Sequence, residues 1–148
     1  MTKQHILISL EPRHAQNVFS GVKSVELRRR PVAVDPGDVM WIYSKRPRAE
    51  VLGWTEIKGV RCASPSSIWK SYGAQTAVTR KEFFEYFSGR SVAYAIELAN
   101  VSLLESPVTL ERLRAAEKDF CPPQFFKRLH PTSACFEKLA ASSRSERP

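Results

Sequence analysis

Residues 21–30 read Gly21-Val22-Lys23-Ser24-Val25-Glu26-Leu27-Arg28-Arg29-Arg30. The stretch predicts a strand, along which side chains alternate between two faces, so that Val25 and Leu27 fall on one and Ser24, Glu26, Arg28 and Arg30 on the other. The apolar pair marks the core side. The opposite face, with Lys23 at its start, carries a carboxylate and guanidinium groups and is expected to look into water or a ligand. A turn glycine, a lysine, a carboxylate and an arginine in so short a window suggest a site more than they suggest a catalyst.

The segments on either side fix its context. Before it, His5 to Leu10 is an apolar run closed by Glu11-Pro12, which fits a buried strand. Pro12 suits the first turn of a helix, Ala15, Val18 and Phe19 share one face of it, and Gly21 stands where a helix stop needs positive φ. After it, Val34-Asp35-Pro36-Gly37-Asp38 predicts a turn. Strands are expected over Val39 to Tyr43 and Val51 to Val60, joined by the basic loop Lys45-Arg46-Pro47-Arg48, with Gly53 hinting at a bulge or a close backbone approach.

A capped helix is expected from Ser64-Pro65, another from the capping box Thr79-Arg80-Lys81-Glu82, and a long strand from Val92. Thr109 to Ala116 reads as helical, Cys121-Pro122-Pro123 as a break, and Phe125, Phe126 and Leu129 as an apolar cluster docking on the domain. This order excludes a regular βαβ array. It predicts an α+β fold, a small mixed sheet of about five strands curled into a partial barrel with helices beside it. The boundaries expected are a domain over 1–106, a helical C-terminal extension over 107–139 packed on it, and a disordered polar tail over 140–148.

At 148 residues with 43% apolar content, the chain is long enough for one domain with a real core. No apolar run is long enough to span a membrane, and the first 20 residues lack a secretory core, so a soluble cytoplasmic protein is the default. Cys62, Cys121 and Cys135 are odd in number and widely spaced, which predicts free thiols. Neither these cysteines nor His5, His14 and His130 have metal-ligand spacing, and no cofactor motif is present.

The net charge is +8, from 23 basic against 15 acidic residues, and the first 50 residues hold nine of the basic and five of the acidic ones. Arg28, Arg29, Arg30, Lys45, Arg46 and Arg48 supply most of that excess. Such a patch is either a solvated surface or the footprint of a polyanion.

Gly21-x-Lys23-x-x-Glu26-x-Arg28, placed after the first helix and leading into a strand, resembles the signature of the ASCH domain, a relative of the PUA, EVE and YTH domains. Pro36-Gly37-Asp38 and Tyr94-Ala95-Ile96 also fall where ASCH-like proteins carry similar residues, and the likeness runs from about Ile6 to Leu104. The resemblance implies a PUA-like β-barrel with a nucleic-acid or nucleotide cleft between barrel and helices, and it carries Lys23, Glu26 and Arg28 to the cleft wall. Names such as transcriptional regulator, given to similar proteins, rest on analogy between folds.

Two classes of function follow. The favoured one is a binding module for nucleic acid, RNA before DNA, or for a modified or unpaired nucleotide. Its expected contacts are Lys23, Glu26, Arg28, Arg30, Tyr43, Ser44, Lys45, Arg46 and Arg48. Trp41, Tyr43 and Trp54 either stack a splayed base or fill the core. Tyr43, beside Ser44-Lys45-Arg46, is the one best placed for a binding surface.

The other class is a small hydrolase, either an amidohydrolase or a ribonuclease. ASCH-like proteins include a branch resembling amidohydrolases of acylated cytidine nucleosides, which relies on a lysine, a threonine and a glutamate. Lys23 matches the lysine, but Glu26 stands at the threonine's position and Gly73-Ala74-Gln75-Thr76 where the glutamate is expected. Acid–base work by Lys23 and Glu26 would require burial that moves their pKa values toward neutrality.

Overall fold

Two long antiparallel strands, Glu50–Ala63 and Ala93–Thr109, pair along much of their length, their branched and aromatic residues suiting a pleated, half-buried surface. The computed structural model describes residues 3–144. Its elements are β1 (His5–Leu10), α1 (Pro12–Phe19), β2 (Val25–Arg28), β3 (Val39–Ser44), β4 (Glu50–Ala63) and α2 (Pro65–Tyr72). They continue through a single 3₁₀ turn (Gly73–Gln75) to α3 (Arg80–Tyr86), β5 (Ala93–Thr109), α4 (Leu110–Ala116), β6 (Phe126–Arg128) and α5 (Ala134–Arg144).

The six strands make one mixed sheet in the order β2-β5-β4-β3-β1-β6, curled into a half-barrel. Only β1 and β3 pair in parallel, with Ile6 opposite Met40 and Ile8 opposite Ile42. Both strands are covered on both faces, which is why they read as continuous apolar runs. Leu7, Val39, Trp41 and Tyr43 join Leu110, Leu113, Phe120 and Leu139 on the side of α4 and α5. Ile6, Ile8, Met40 and Ile42 join Ala15 and Val18 of α1 on the other side. A third cluster holds α2 and α3 to β2 and β5 through Ile68, Phe83, Phe87, Val25 and Leu27.

The helix ends follow the local chemistry. Gly21 leaves α1 at φ +85°. Ser64 Oγ accepts from Ser67 N at 3.2 Å, and Thr79 and Glu82 form the reciprocal capping box at the start of α3.

The C-terminal third departs from expectation. β5 runs through Ser106-Pro107 to Thr109, where the strand pattern was expected to give way. By then β2 has ended, so β5 is paired only with β4, and a proline without an N–H is tolerated there. Phe126–Arg128 forms a sixth strand, antiparallel to β1. Three residues are too few to show a period. Part of the expected tail is ordered as well: α5 continues to Arg144, and Trp54 Nε1 donates to Ser143 Oγ at 3.2 Å. Residues 145–148 lie outside the described residues.

All three cysteines are free thiols, Cys62 and Cys121 exposed and Cys135 buried, with burial pushing the Cys135 thiol up to about 11. Among the described residues no helix is long and apolar enough to cross a membrane.

Gly53 lies at a register shift of β4, and a Cβ there would stand 2.1 Å from Ser102 O and 2.9 Å from the Phe19 ring. Both readings of this glycine therefore hold, the bulge and the close approach. Gly53→Ala is expected to cost about 2 kcal/mol or more by overpacking. A denaturant titration with an unchanged midpoint would contradict that approach.

Candidate functional site

A half-barrel has a seam. Here β2 is one edge of the sheet and β6, beside β1, is the other, and a cleft of about 360 Å³ lies between β2, the end of β1, α1 and α3. Its walls come from Ser9 and Leu10 at the end of β1, from Arg13 and His14 of α1, and from Lys23 to Arg28. Glu82 and Tyr86 of α3, with Lys45 and Gln124, complete it.

The chain enters this region under tight backbone control. Lys23 N donates to Asn17 O at 2.9 Å and Ser24 N to Gln75 O at 3.0 Å, before β2 pairs Glu26 with Ile96 and Arg28 with Tyr94. Lys23 thereby points inward. Its ammonium donates to Thr76 O at 2.8 Å and lies 3.4 Å from Glu26 Oε1, while Arg28 Nη2 meets Glu26 Oε2 at 2.8 Å. The three side chains are only 2%, 8% and 12% exposed. The polar face of the strand, expected to meet water or a ligand, is thus the enclosed floor of the cleft. Burial pulls the Lys23 ammonium below its ordinary value, and Glu26 opposes that pull.

Three further polar atoms of the wall are buried with no hydrogen-bond partner: Ser9 Oγ, His14 Nδ1 and Arg28 Nε. Burial lowers the His14 pKa, Lys23 lowers it further, and Glu26 acts against both. Across the mouth, Arg13 donates to Glu82 Oε2 at 2.7 Å. The backbone N–H of Thr79, followed by Arg13, holds the Glu82 carboxyl down to about 2.

The residues expected from sequence divide into three groups. Lys23, Glu26, Arg28 and Lys45 come together in the cleft. Arg30, Arg46 and Arg48 are exposed outside its lining, and Arg48 is engaged by Glu50 at 2.9 and 2.7 Å. Tyr43 and Ser44 are buried, at 3% and 0% exposure, because β3 is covered on both faces. The Tyr43 ring therefore has no free face for a base, and Trp41, bonded to His5 Nδ1 at 3.0 Å, is core as well.

His14, Arg13, Glu82 and Tyr86 were not singled out for the site. His14 lies four residues before Val18, at the margin of the apolar stripe of α1, and Glu82 was read only as a cap. Glu82 brings a carboxylate to the cleft from just beyond the segment where the amidohydrolase pattern wants its glutamate.

A second hollow, of about 430 Å³, lies by Trp41 and Trp54 near the end of α5. The buried ion cluster belongs to the first.

The comparisons with known proteins agree with this architecture. A family model described as a domain of unknown function (DUF365) matches residues 6–118. The ASCH domain-containing ribonuclease of Zymomonas mobilis is 30% identical over 122 residues, 82% of this chain and 82% of that protein. The crystal structure of a variant of the Z. mobilis ASCH protein superposes with a TM-score of 0.88 at 27% identity, covering 94% of this chain and 98% of that one. Human THYN1, crystallised with DNA containing 5-methylcytosine, shares the fold at a TM-score of 0.59 and 12% identity, with 99% of each chain covered. The fold is thus the PUA-like half-barrel of these proteins. This chain belongs to the domain family DUF365 and to the ASCH domain proteins.

Two outcomes follow from the buried floor. Glu26→Gln leaves two enclosed cations without their counter-charge and is expected to cost about 3–5 kcal/mol, measured by chemical denaturation. A loss below about 1 kcal/mol would mean that water reaches the cluster. The His14 pKa is lowered in the fold below the value near 6.5 of the unfolded chain, so its contribution to stability is full above that pH and declines below it. His5, also lowered by burial, acts in the same direction. His14→Gln should therefore flatten, without abolishing, the fall in melting temperature between about pH 7 and pH 5. An unaltered slope would assign the effect elsewhere.

Proposed function

We propose that this domain binds RNA by taking one unpaired nucleotide into the seam cleft, with Lys23, Glu26 and Arg28 as its floor. Arg30, Lys45, Arg46 and Arg48 serve the phosphates from the rim. The observation that carries this reading is the set of buried wall atoms without partners, Ser9 Oγ, His14 Nδ1 and Arg28 Nε, beside a carboxylate held between two cations. Each unpartnered atom costs about 1–3 kcal/mol in desolvation, which a ligand carrying donors and acceptors recovers on binding. The edge of a nucleobase carries both, and it is free only when the base is unpaired. The cleft volume lies within the range of small-ligand sites. RNA is favoured over DNA because the relative that is 30% identical is a ribonuclease.

That relative also favours a second reading, in which the bound strand is cut. His14, whose pKa burial lowers, would take the proton of the 2′-hydroxyl as its oxygen attacks phosphorus. The leaving 5′-oxygen would take a proton from the Lys23 ammonium, giving a cyclic phosphate and a free 5′-hydroxyl.

Single-stranded RNA affinity should fall with salt at a slope of roughly −0.7 per phosphate neutralised, and the double variant Arg46→Glu, Arg48→Glu should flatten it. Affinity that is indifferent to salt would sink the phosphate rim. Chromatography of end-labelled RNA tests cleavage. Cyclic-phosphate products, reduced roughly 100-fold in His14→Gln, would support the second reading. Intact RNA with the wild-type protein would leave binding as the whole function.

A further inference from the structure

Beyond the cleft itself, the two arginines that follow β2 diverge. The Arg29 guanidinium lies 4.7 Å from the centre of the Tyr86 ring, and that of Arg30 lies 4.5 Å from the centre of the Phe125 ring. Tyr86, at the end of α3, lines the cleft, and Phe125 follows Gln124, which lines it from the β6 side. Consecutive residues after one strand thus engage one ring that lines the cleft and one that adjoins its lining in sequence.

The two rings are unusual for this chain. Phe83, Phe87 and Phe120 are at most 2% exposed, whereas Tyr86 is 36% and Phe125 40% exposed. Among the described residues they are the aromatic members of the exposed large apolar set, Tyr86 lining the cleft and Phe125 adjoining Gln124, which lines it. Exposure of that much ring surface loses hydrophobic stabilisation. A guanidinium over each ring adds a second planar surface and a positive charge at the same point.

We propose that Arg29 with Tyr86 and Arg30 with Phe125 form a two-sided stacking clamp. It would hold the nucleotides flanking the one in the cleft. A splayed base stacks on an aromatic face or on a guanidinium plane, and the arginine charge meets the adjoining phosphate. This inference rests on the cleft reading and specifies its ligand as a single strand of at least three nucleotides. A mononucleotide does not reach the clamp, and in a duplex the flanking bases are stacked already.

The test measures competition against a labelled single strand by unlabelled RNA of one, three and seven nucleotides and by a seven-base-pair duplex. Wild-type protein should gain at least about 10-fold between one and three nucleotides and discriminate against the duplex. Phe125→Ala should lose roughly 5- to 100-fold on the trinucleotide and leave the mononucleotide unchanged, and Tyr86→Ala, at a residue that also lines the cleft, should lose more on the trinucleotide than on the mononucleotide. Tyr86→Phe and Phe125→Tyr should retain binding. Arg29→Lys and Arg30→Lys, which keep the charge and lose the plane, should reproduce part of the alanine loss.

Equal affinity for one and three nucleotides, alanine and lysine variants indistinguishable from wild type, or a duplex bound as tightly as the single strand would each overturn the clamp while sparing the cleft. Absence of binding at every length would overturn the cleft reading as well. Melting curves of the variants identify any loss due to unfolding. Phe125, outside the packed face of α3, then decides the matter where Tyr86→Ala does not fold.

Discussion

Glu26 is the one carboxylate that makes the interior of this domain electrically tolerable. Two cations, Lys23 and Arg28, are drawn out of water beside it, and the Thr76 carbonyl also accepts from the Lys23 ammonium. Burying an ammonium without such partners costs several kcal/mol, so the path of the chain from Gly21 to Arg28 is constrained by the need to bring all four groups together. The turn after α2 is part of that constraint. Thr76, fully buried, bonds back to Gly73 O and so fixes the carbonyl that Lys23 meets.

The seam exists because the sheet does not close. β2 pairs with β5 over four residues and then releases the chain, while β1 on the far side takes β6 as its outer neighbour. In a closed barrel, a strand would occupy the space that α1 and α3 flank here. The open edge gives the polar face of β2 something other than bulk water to look into. The long segments of β4 and β5 supply the rigidity on which this arrangement rests.

Much of this was legible in the residues. The alternation of Val25 and Leu27 against Glu26 and Arg28 marked the strand that lines the cleft, and the spacing from Gly21 to Arg28 identified the family. Burial of that polar face was not legible, since a face covered by helices has the same alternation as one facing solvent. For Tyr43 the difficulty was the reverse. β3 is apolar throughout because both its faces are covered, so its neighbours in sequence, Lys45 and Arg46, said nothing about where the ring lies. His14 belongs to the cleft only through the packing of α1 on the sheet, a contact no local pattern encodes. β6 escaped because a three-residue strand has no period and owes its existence to the free edge of β1. Phe125 was read as part of an apolar cluster docking on the domain and Tyr86 was not singled out, because the exposure of a ring is set by packing rather than by its neighbours in sequence.

The Arg13–Glu82 pair has a mechanical meaning. It is 57% and 38% exposed and joins α1 to α3 across the opening, whereas the Lys23–Glu26–Arg28 cluster beneath it is enclosed. An exposed pair of this kind contributes at most about 1 kcal/mol and weakens as salt screens it. The domain therefore combines an enclosed base with a breakable rim: thermal energy and ordinary ionic strength suffice to open this ion pair at the top, while the charges at the bottom are shielded from salt.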